Sequence, residues 1–443
     1  MTNKASTTNT ANTAKTTSSP IHAPRRRRRP ARRNLTLAAV VALALSAGAP
    51  GAMATPGATA ARPYDDHDRL QLQLRLQHRL QQRLQRDADA ITAVGATGVQ
   101  ARVATSDGLP LTATSGVADL TGRQSVSPDG YFRIASITKT FVATVTLQLV
   151  GENRLSLDDP IERWLPGVVS GNGNDGRAIT VRQLLRHTSG IHDDYPDYTS
   201  AEDFREHRND SYTPEQIVAR AMSHSPDFRP DTGWNYSNTG YVLLGMAIEK
   251  VTGRPWYEEV GERIARPLGL DHTFRPGTSP TLPQPHAETY QRFRAGEPFV
   301  DVTEQVGPGT NGEAGLVSTT ADLNRFFGAL LGGRLLAPAQ LAQMQQTVPV
   351  SAAFERFMPG ARAGLGLFSR RLPGGGEYWG HEGGDAGWIS SVGVTADGRR
   401  SVALSLSGVQ ADSEKDVVRV AGAESRLVED ALRAPEEAGP RGR

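Results

Sequence analysis

The chain has no cysteine at any of its 443 positions. Disulfide staples, Cys-ligated zinc and thiol nucleophiles are excluded at once. Lysine is almost as scarce. Five occur, at Lys4, Lys15, Lys139, Lys250 and Lys415, in a chain with 49 Lys+Arg. Long apolar runs are missing too. The longest, Leu35 to Ala47, has 13 residues, short of the roughly 20 that span a bilayer. The basic excess is confined to one end. Residues 1–54 hold nine basic residues (Lys4, Lys15, Arg25 to Arg29, Arg32 and Arg33) and no acidic ones. The rest of the chain then has 40 basic against 47 acidic residues. That body lacks the cation excess that phosphate binding needs, so nucleic acid is not an expected partner. With 38% hydrophobic and 22% charged residues, the composition is that of a globular protein with a large core.

The front end reads as an address. A basic run is followed by the apolar stretch and then by Ala52-Met53-Ala54, a small-x-small cleavage site. That order defines a secretory signal peptide. Residues 1–54 are therefore expected to be a signal peptide with an extended basic front, removed on export. Secretion with no stable membrane insertion follows. Residues 55–84 form a linker and an amphipathic helix, because Leu72, Leu76, Leu80 and Leu84 recur every four residues. The folded body spans 85–432, and 433–443 form a flexible tail.

Within the body, Val99 to Thr105 and Leu111 to Val117 read as a β-hairpin. Ser136 to Leu149 is apolar enough for a buried helix. Residues from about 150 to 350 form a mostly helical lobe, with Thr319 and Asp322 marking one helix start. Leu365 to Ser369, Trp388 to Thr395 and Ser401 to Ser407 read as strands, with Asp397-Gly398 as a hairpin turn. A last helix covers Asp412 to Leu432. Strands at both ends with helices between predict an α+β fold. One antiparallel sheet would be built from N- and C-terminal segments and flanked by helices, with an all-α lobe inserted. A cleft between the two is where a site is expected.

Three segments carry chemistry. Ser136 and Lys139 lie three apart at the start of the apolar helix, so their side chains share a face. Lysine, unlike arginine, can lose its proton when desolvated. A serine beside such a lysine is an activated nucleophile. The second segment is Trp234 to Gly240, where Tyr236 can pass protons and Asn238 can hold an amide. The third is Gly380 to Gly387, whose glycines beside a strand imply close backbone approach and exposed N–H groups. His187, His192, Asp193 and Asp194 could be grouped as a metal cluster, but no metal is expected.

Ser-x-x-Lys, Tyr-x-Asn and a basic residue-x-Gly, in this order, resemble the serine β-lactamase and D-alanyl-D-alanine carboxypeptidase superfamily. The chain is most similar to its class C β-lactamase-like branch and, within that, to secreted actinobacterial DD-carboxypeptidases. The likeness extends over Phe132 to Lys139, Leu184 to Ile191, Tyr236 to Gly240, Pro267 to Thr273, Ala314 to Asp322 and Gly380 to Trp388. The resemblance implies a two-lobed hydrolase that works through an acyl-enzyme on Ser136. Lys139 would activate Ser136, Tyr236 would shuttle the proton and Asn238 would hold the substrate amide. His381 would stand where β-lactamases mostly have a lysine. The N–H groups of Ser136 and Gly384 would form the oxyanion hole. Gly383 and Gly315 would contribute to substrate binding, and Leu316 would line the pocket with Gly315. No cofactor is implied.

The implied activity is a D-Ala-D-Ala carboxypeptidase on peptidoglycan stem peptides, with β-lactams as acylating inhibitors. The alternatives are an esterase or amidase, a class C-type β-lactamase, or a non-catalytic penicillin- or wall-binding module. Glu382 departs from the family's Thr. If its carboxylate faced the pocket, a substrate carboxylate would be disfavoured by about 1 kcal/mol even in water at close range, and neutral esters or amides would fit better.

Overall fold

The computed structural model describes residues 66–106, 108–307, 311–410 and 413–433. The expected signal segment, the linker up to 65 and the tail from 434 lie outside the described residues. Eight strands form one antiparallel sheet. They are β1 (Ala96–Thr105), β2 (Leu111–Gly116), β3 (Val348–Pro349), β4 (Arg362–Ala363), β5 (Phe368–Arg371), β6 (Glu377–Asp385), β7 (Trp388–Thr395) and β8 (Arg400–Val409). Their order is β2-β1-β8-β7-β6-β5-β4-β3. β1 pairs with β8 from Ala96↔Val409 to Thr105↔Arg400, so the two ends of the fold join inside the sheet.

β8 shows why it can sit there. Val402, Leu404 and Leu406 enter one apolar cluster, while Ala403, between them, enters another. Side chains alternate along a strand, so β8 buries Val402, Leu404 and Leu406 on one face and Ala403 with the small Ser401, Ser405 and Ser407 on the other. The first cluster lies under the helices Asp66–Ala93 and Glu414–Leu432. The N-terminal helix is longer than the leucine spacing predicts. Leu84, Ala88 and Ile91 are its buried stripe, whereas Leu72 stays 43% exposed. The second cluster joins the opposite face of the sheet to the helical lobe. Its central rod is the helix Thr138–Gly151, eleven of whose 14 residues are buried. A helix apolar on all sides belongs in a core.

The glycine-rich segment is itself a strand rather than a loop beside one. β6 includes Gly380, His381, Glu382, Gly383 and Gly384 and is paired on both sides, to β5 and β7. The glycines are there for space. A Cβ on Gly380 would lie 1.8 Å from Val392 O, and one on Gly383 would lie 2.3 Å from Ile134 O. β6 is thereby pressed against the turn that carries Ser136.

Candidate active site

Ser136 lies in a 3₁₀ turn, Ala135–Ile137, one step ahead of the α-helix that begins at Thr138. Ala135 has a φ of 45°, a left-handed value that costs a non-glycine residue roughly 1–2 kcal/mol. The turn is pinned from both sides. Ile134 N donates to Leu316 O at 3.0 Å, and Ser390 Oγ donates to Ile134 O at 3.1 Å. Backbone strain held in place this way is characteristic of functional turns.

Lys139 follows on the helix with none of its surface exposed. Its Nζ lies 3.0 Å from Ser136 Oγ, 2.8 Å from Asn238 Oδ1 and 2.8 Å from Glu313 O. Burial brings its pKa down to about 7, against the opposing pull of Glu313 and Asp193. Near neutrality a large share of the amine is therefore free of its extra proton. In that form Ser136 Oγ–H donates to Nζ, which is the arrangement a base needs.

Tyr236 stands over Lys139, whose Nζ is 4.9 Å from the centre of its ring. Its hydroxyl is buried and lacks a partner in good hydrogen-bond geometry, although Ser136 is close enough to lower its pKa. Burial outweighs that and raises the phenol above its ordinary value. Tyr236 is thus a neutral phenol at rest, placed beside Ser136 where it could pass a proton.

Asn238 opens the helix Asn238–Thr252, which Ser237 caps by accepting from Gly240 N. Both ends of the Asn238 amide are in use. Oδ1 accepts from Lys139, and Nδ2 donates to Asp193 Oδ2 at 2.9 Å. Its first task is to hold Lys139, and one N–H remains for a substrate carbonyl. Asp193 also accepts from Thr239 N at 2.9 Å and Thr239 Oγ1 at 3.0 Å.

His381 is 3% exposed, and its Nδ1 faces Glu382 O. Burial, reinforced by Lys139, drops its pKa to about 3. His381 thus presents an uncharged imidazole near neutral pH. Glu382 occupies the next place on β6 and points to the other face of the sheet. It pairs there with Arg370 Nη1 at 3.1 Å, and Arg370 also donates to Tyr378 Oη and to Ser425 Oγ.

The cleft in front of Ser136 measures about 520 Å³. Tyr236, Asn238, Ala314, Gly384 and Trp388 line it, together with Tyr195, Asp197 and Asp385. Gly384 is exposed, and no atom lies near where its Cβ would be. Gly383 is buried against Ala135 instead. Gly315 and Leu316 lie buried behind Ala314, which takes their expected place on the wall. Burial raises the Asp385 carboxyl, with Arg133 pulling it back.

The sequence reading assigned no role to three residues here. Asp193 is 45 residues from Asn238 and showed only as part of a would-be metal cluster. That cluster is dispersed: His187 Nδ1 accepts from Ser237 N, His192 pairs with Asp227, and Asp194 pairs with Arg220. No group able to hold a metal occurs among the described residues. Glu313 is wholly buried and accepts from Tyr195 Oη at 2.7 Å. Asp385 follows Gly384 directly, and only strand geometry shows that it faces the cleft.

A buried lysine in contact with a serine on a strained turn, with a phenol beside them, defines a serine hydrolase of the lysine-activated kind. The comparisons agree. The β-lactamase family model matches residues 77–424, and the chain belongs to that family. A D-stereospecific amidohydrolase from Streptomyces sp. is 42% identical, with a TM-score of 0.68 over 76% of this chain and 96% of that one. A D-amino acid amidase from Ochrobactrum anthropi is 32% identical, with a TM-score of 0.66 over 78% of this chain and 99% of that one. Penicillin-binding protein 4* of Bacillus subtilis is 28% identical over 332 residues, 72% of this chain and 70% of that protein. The chain is thus a serine hydrolase of the β-lactamase and penicillin-binding-protein family.

Proposed function

We propose that Ser136 forms an acyl-enzyme with amides or esters of D-amino acids whose α-amine is free, and that the acyl-enzyme is then hydrolysed. The carrying observation is the charge of the cleft wall. Asp197 and Asp385 line it, and no lysine or arginine does among its described lining residues. A substrate ammonium would be attracted there, whereas a terminal carboxylate would find no cation. The amidohydrolase and amidase relatives support both the D configuration and the amide bond.

Lys139 takes the Ser136 proton as Oγ attacks the carbonyl carbon. Tyr236 hands a proton to the departing amine. The oxyanion would be held by the N–H groups of Ser136 and Gly384. Water then repeats the attack, with the same groups acting in reverse.

A D-Ala-D-Ala carboxypeptidase on peptidoglycan stems is the second reading. It is supported by the penicillin-binding relative and by one feature of the site. Glu382 turns away from the cleft, which removes its repulsion of a substrate carboxylate. In either case the leader-like order of residues 1–54 supports a secreted protein.

The test is a rate comparison on D-phenylalanine amide, its N-acetyl derivative and an N-acyl-D-Ala-D-Ala peptide. The expected kcat/KM order places the free amine at least tenfold ahead of both others. Faster turnover of the acylated D-Ala-D-Ala peptide would replace this reading with the second.

A further inference from the structure

Glu313 is wholly buried, yet it touches the catalytic base directly. Its carbonyl oxygen accepts from Lys139 Nζ at 2.8 Å. Covalent geometry therefore keeps its carboxyl within a side-chain length of that contact. The carboxyl is held from the cleft side. Oε1 accepts from Tyr195 Oη at 2.7 Å and from Asn311 N at 3.4 Å, and Tyr195 lines the cleft. Among the described residues no donor reaches Oε2, although that oxygen is buried. A buried carboxylate oxygen without a donor destabilises a fold, and such an exception calls for an explanation. Asp193, the other carboxylate acting on Lys139, differs. Both its oxygens are taken, by Thr239 and Asn238, and it meets the amine only through the Asn238 amide.

We propose that Glu313 is the positioning residue of the lysine base: its carboxylate, held by Tyr195, is the counter-charge to the ammonium that Lys139 becomes during acylation. This rests on Lys139 being the base, as set out under Proposed function. As Ser136 Oγ bonds to the carbonyl carbon, its proton moves to Nζ, and Glu313 exchanges no proton. While the amine is neutral, the carboxylate's charge is unanswered. Once Nζ carries the proton, opposite charges face each other in a buried site, where their attraction is strong. The stabilisation grows on the way to the acyl-enzyme, which is the kind that raises kcat. The carboxylate of a Ser-His-Asp triad acts on its imidazole in the same way.

The titratable groups around Lys139 are Glu313, Asp193, Tyr236, Tyr241, His187 and His381. Burial keeps both imidazoles uncharged and both phenols protonated near neutrality. The carboxylates are therefore the neighbours whose charge the amine feels. Tyr195 keeps its proton as well, because burial and Glu313 raise it well above the ordinary phenol value. Its hydroxyl stays a donor and favours the charged form of Glu313.

Lysine is scarce enough for the amine to be followed directly. With carbon-13 at the lysine ε-carbons, the full chain has five lysines to give signals, and Lys139→Arg identifies the one from Lys139. In Glu313→Gln its midpoint should fall from about 7 by at least about one unit, because an ammonium without its counter-anion is harder to form. The acid limb of ester acylation should move down with it, while the plateau rate falls at least about tenfold. Tyr195→Phe removes a single hydroxyl and should move the midpoint the same way by about half a unit. It keeps the proposal testable if Glu313→Gln does not fold. A purely structural Glu313 would lower the rate and leave the midpoint near 7. That result overturns the proposal. If Glu313→Gln does not fold, a midpoint in Tyr195→Phe within about 0.2 unit of the parent overturns it. The titration needs no turnover. A lowered midpoint together with undiminished ester turnover by Lys139→Arg would sink the base assignment and leave the pairing of Glu313 with Lys139 standing.

Discussion

Replacing Lys139 with arginine isolates what the lysine is for. The charge is kept, and this chain uses arginine almost everywhere else. Arginine cannot lose its proton near neutrality, however deeply it is buried. Lys139 has a pKa of about 7 instead of 10.5. At pH 7 about half the amine is then neutral, where an unshifted lysine would offer on the order of one molecule in a thousand or fewer. Lys139→Arg should therefore lower kcat/KM for a small chromogenic ester by about 10³-fold, within the usual range for losing a general base. The parent enzyme should show an acid limb with its midpoint near pH 7. The sign follows from the direction of the shift: the neutral base is present above that pH and is lost as pH falls through it. A stopped-flow record of ester acylation between pH 5 and 9 reads both quantities, and a thermal melt confirms that the variant folds. Activity within tenfold of the parent would refute the reasoning. An acid limb centred below pH 5 would do the same.

Asp193→Ala removes three accepted hydrogen bonds around Asn238 and Thr239. It should cost about 2–3 kcal/mol in a denaturation curve and lower kcat more than it raises KM. Gly383→Ala places a methyl 2.3 Å from Ile134 O, against the strained turn. It should reduce labelling of Ser136 by a fluorophosphonate by at least about tenfold, because the nucleophile is displaced. Glu382→Gln breaks the pair with Arg370 on the far side of the sheet. The Glu382 side chain is one-third exposed, so the loss should be roughly 1 kcal/mol in chemical denaturation. KM for a neutral ester should stay within about twofold.

The parts of this site that sequence makes legible are local. Ser136 and Lys139 meet because residues three apart share a helix face, and the structure places them in contact. Tyr236 and Asn238 come from one turn. The longer strands and helices follow from apolar alternation, as in β8, and from caps such as Thr319, which accepts from Asp322 N. The orientation of Glu382 was hidden because four glycines between 380 and 387 disguise β6 as a loop. Once β6 is known to be a strand, alternation alone puts His381 on one face and Glu382 on the other. Asp193 and Glu313 act on Lys139 across gaps of 54 and 174 residues, and no spacing rule links them. β3 and β4 have two residues each and are too short for any alternation to show.

The central claim is that Ser136 carries the acyl group. Intact-mass analysis of the protein quenched with D-phenylalanine methyl ester tests it most directly. The account predicts one phenylalanyl adduct, mapped by digestion to the peptide containing Ser136 and absent in Ser136→Ala. An adduct on another residue, or undiminished ester turnover by Ser136→Ala, would contradict it.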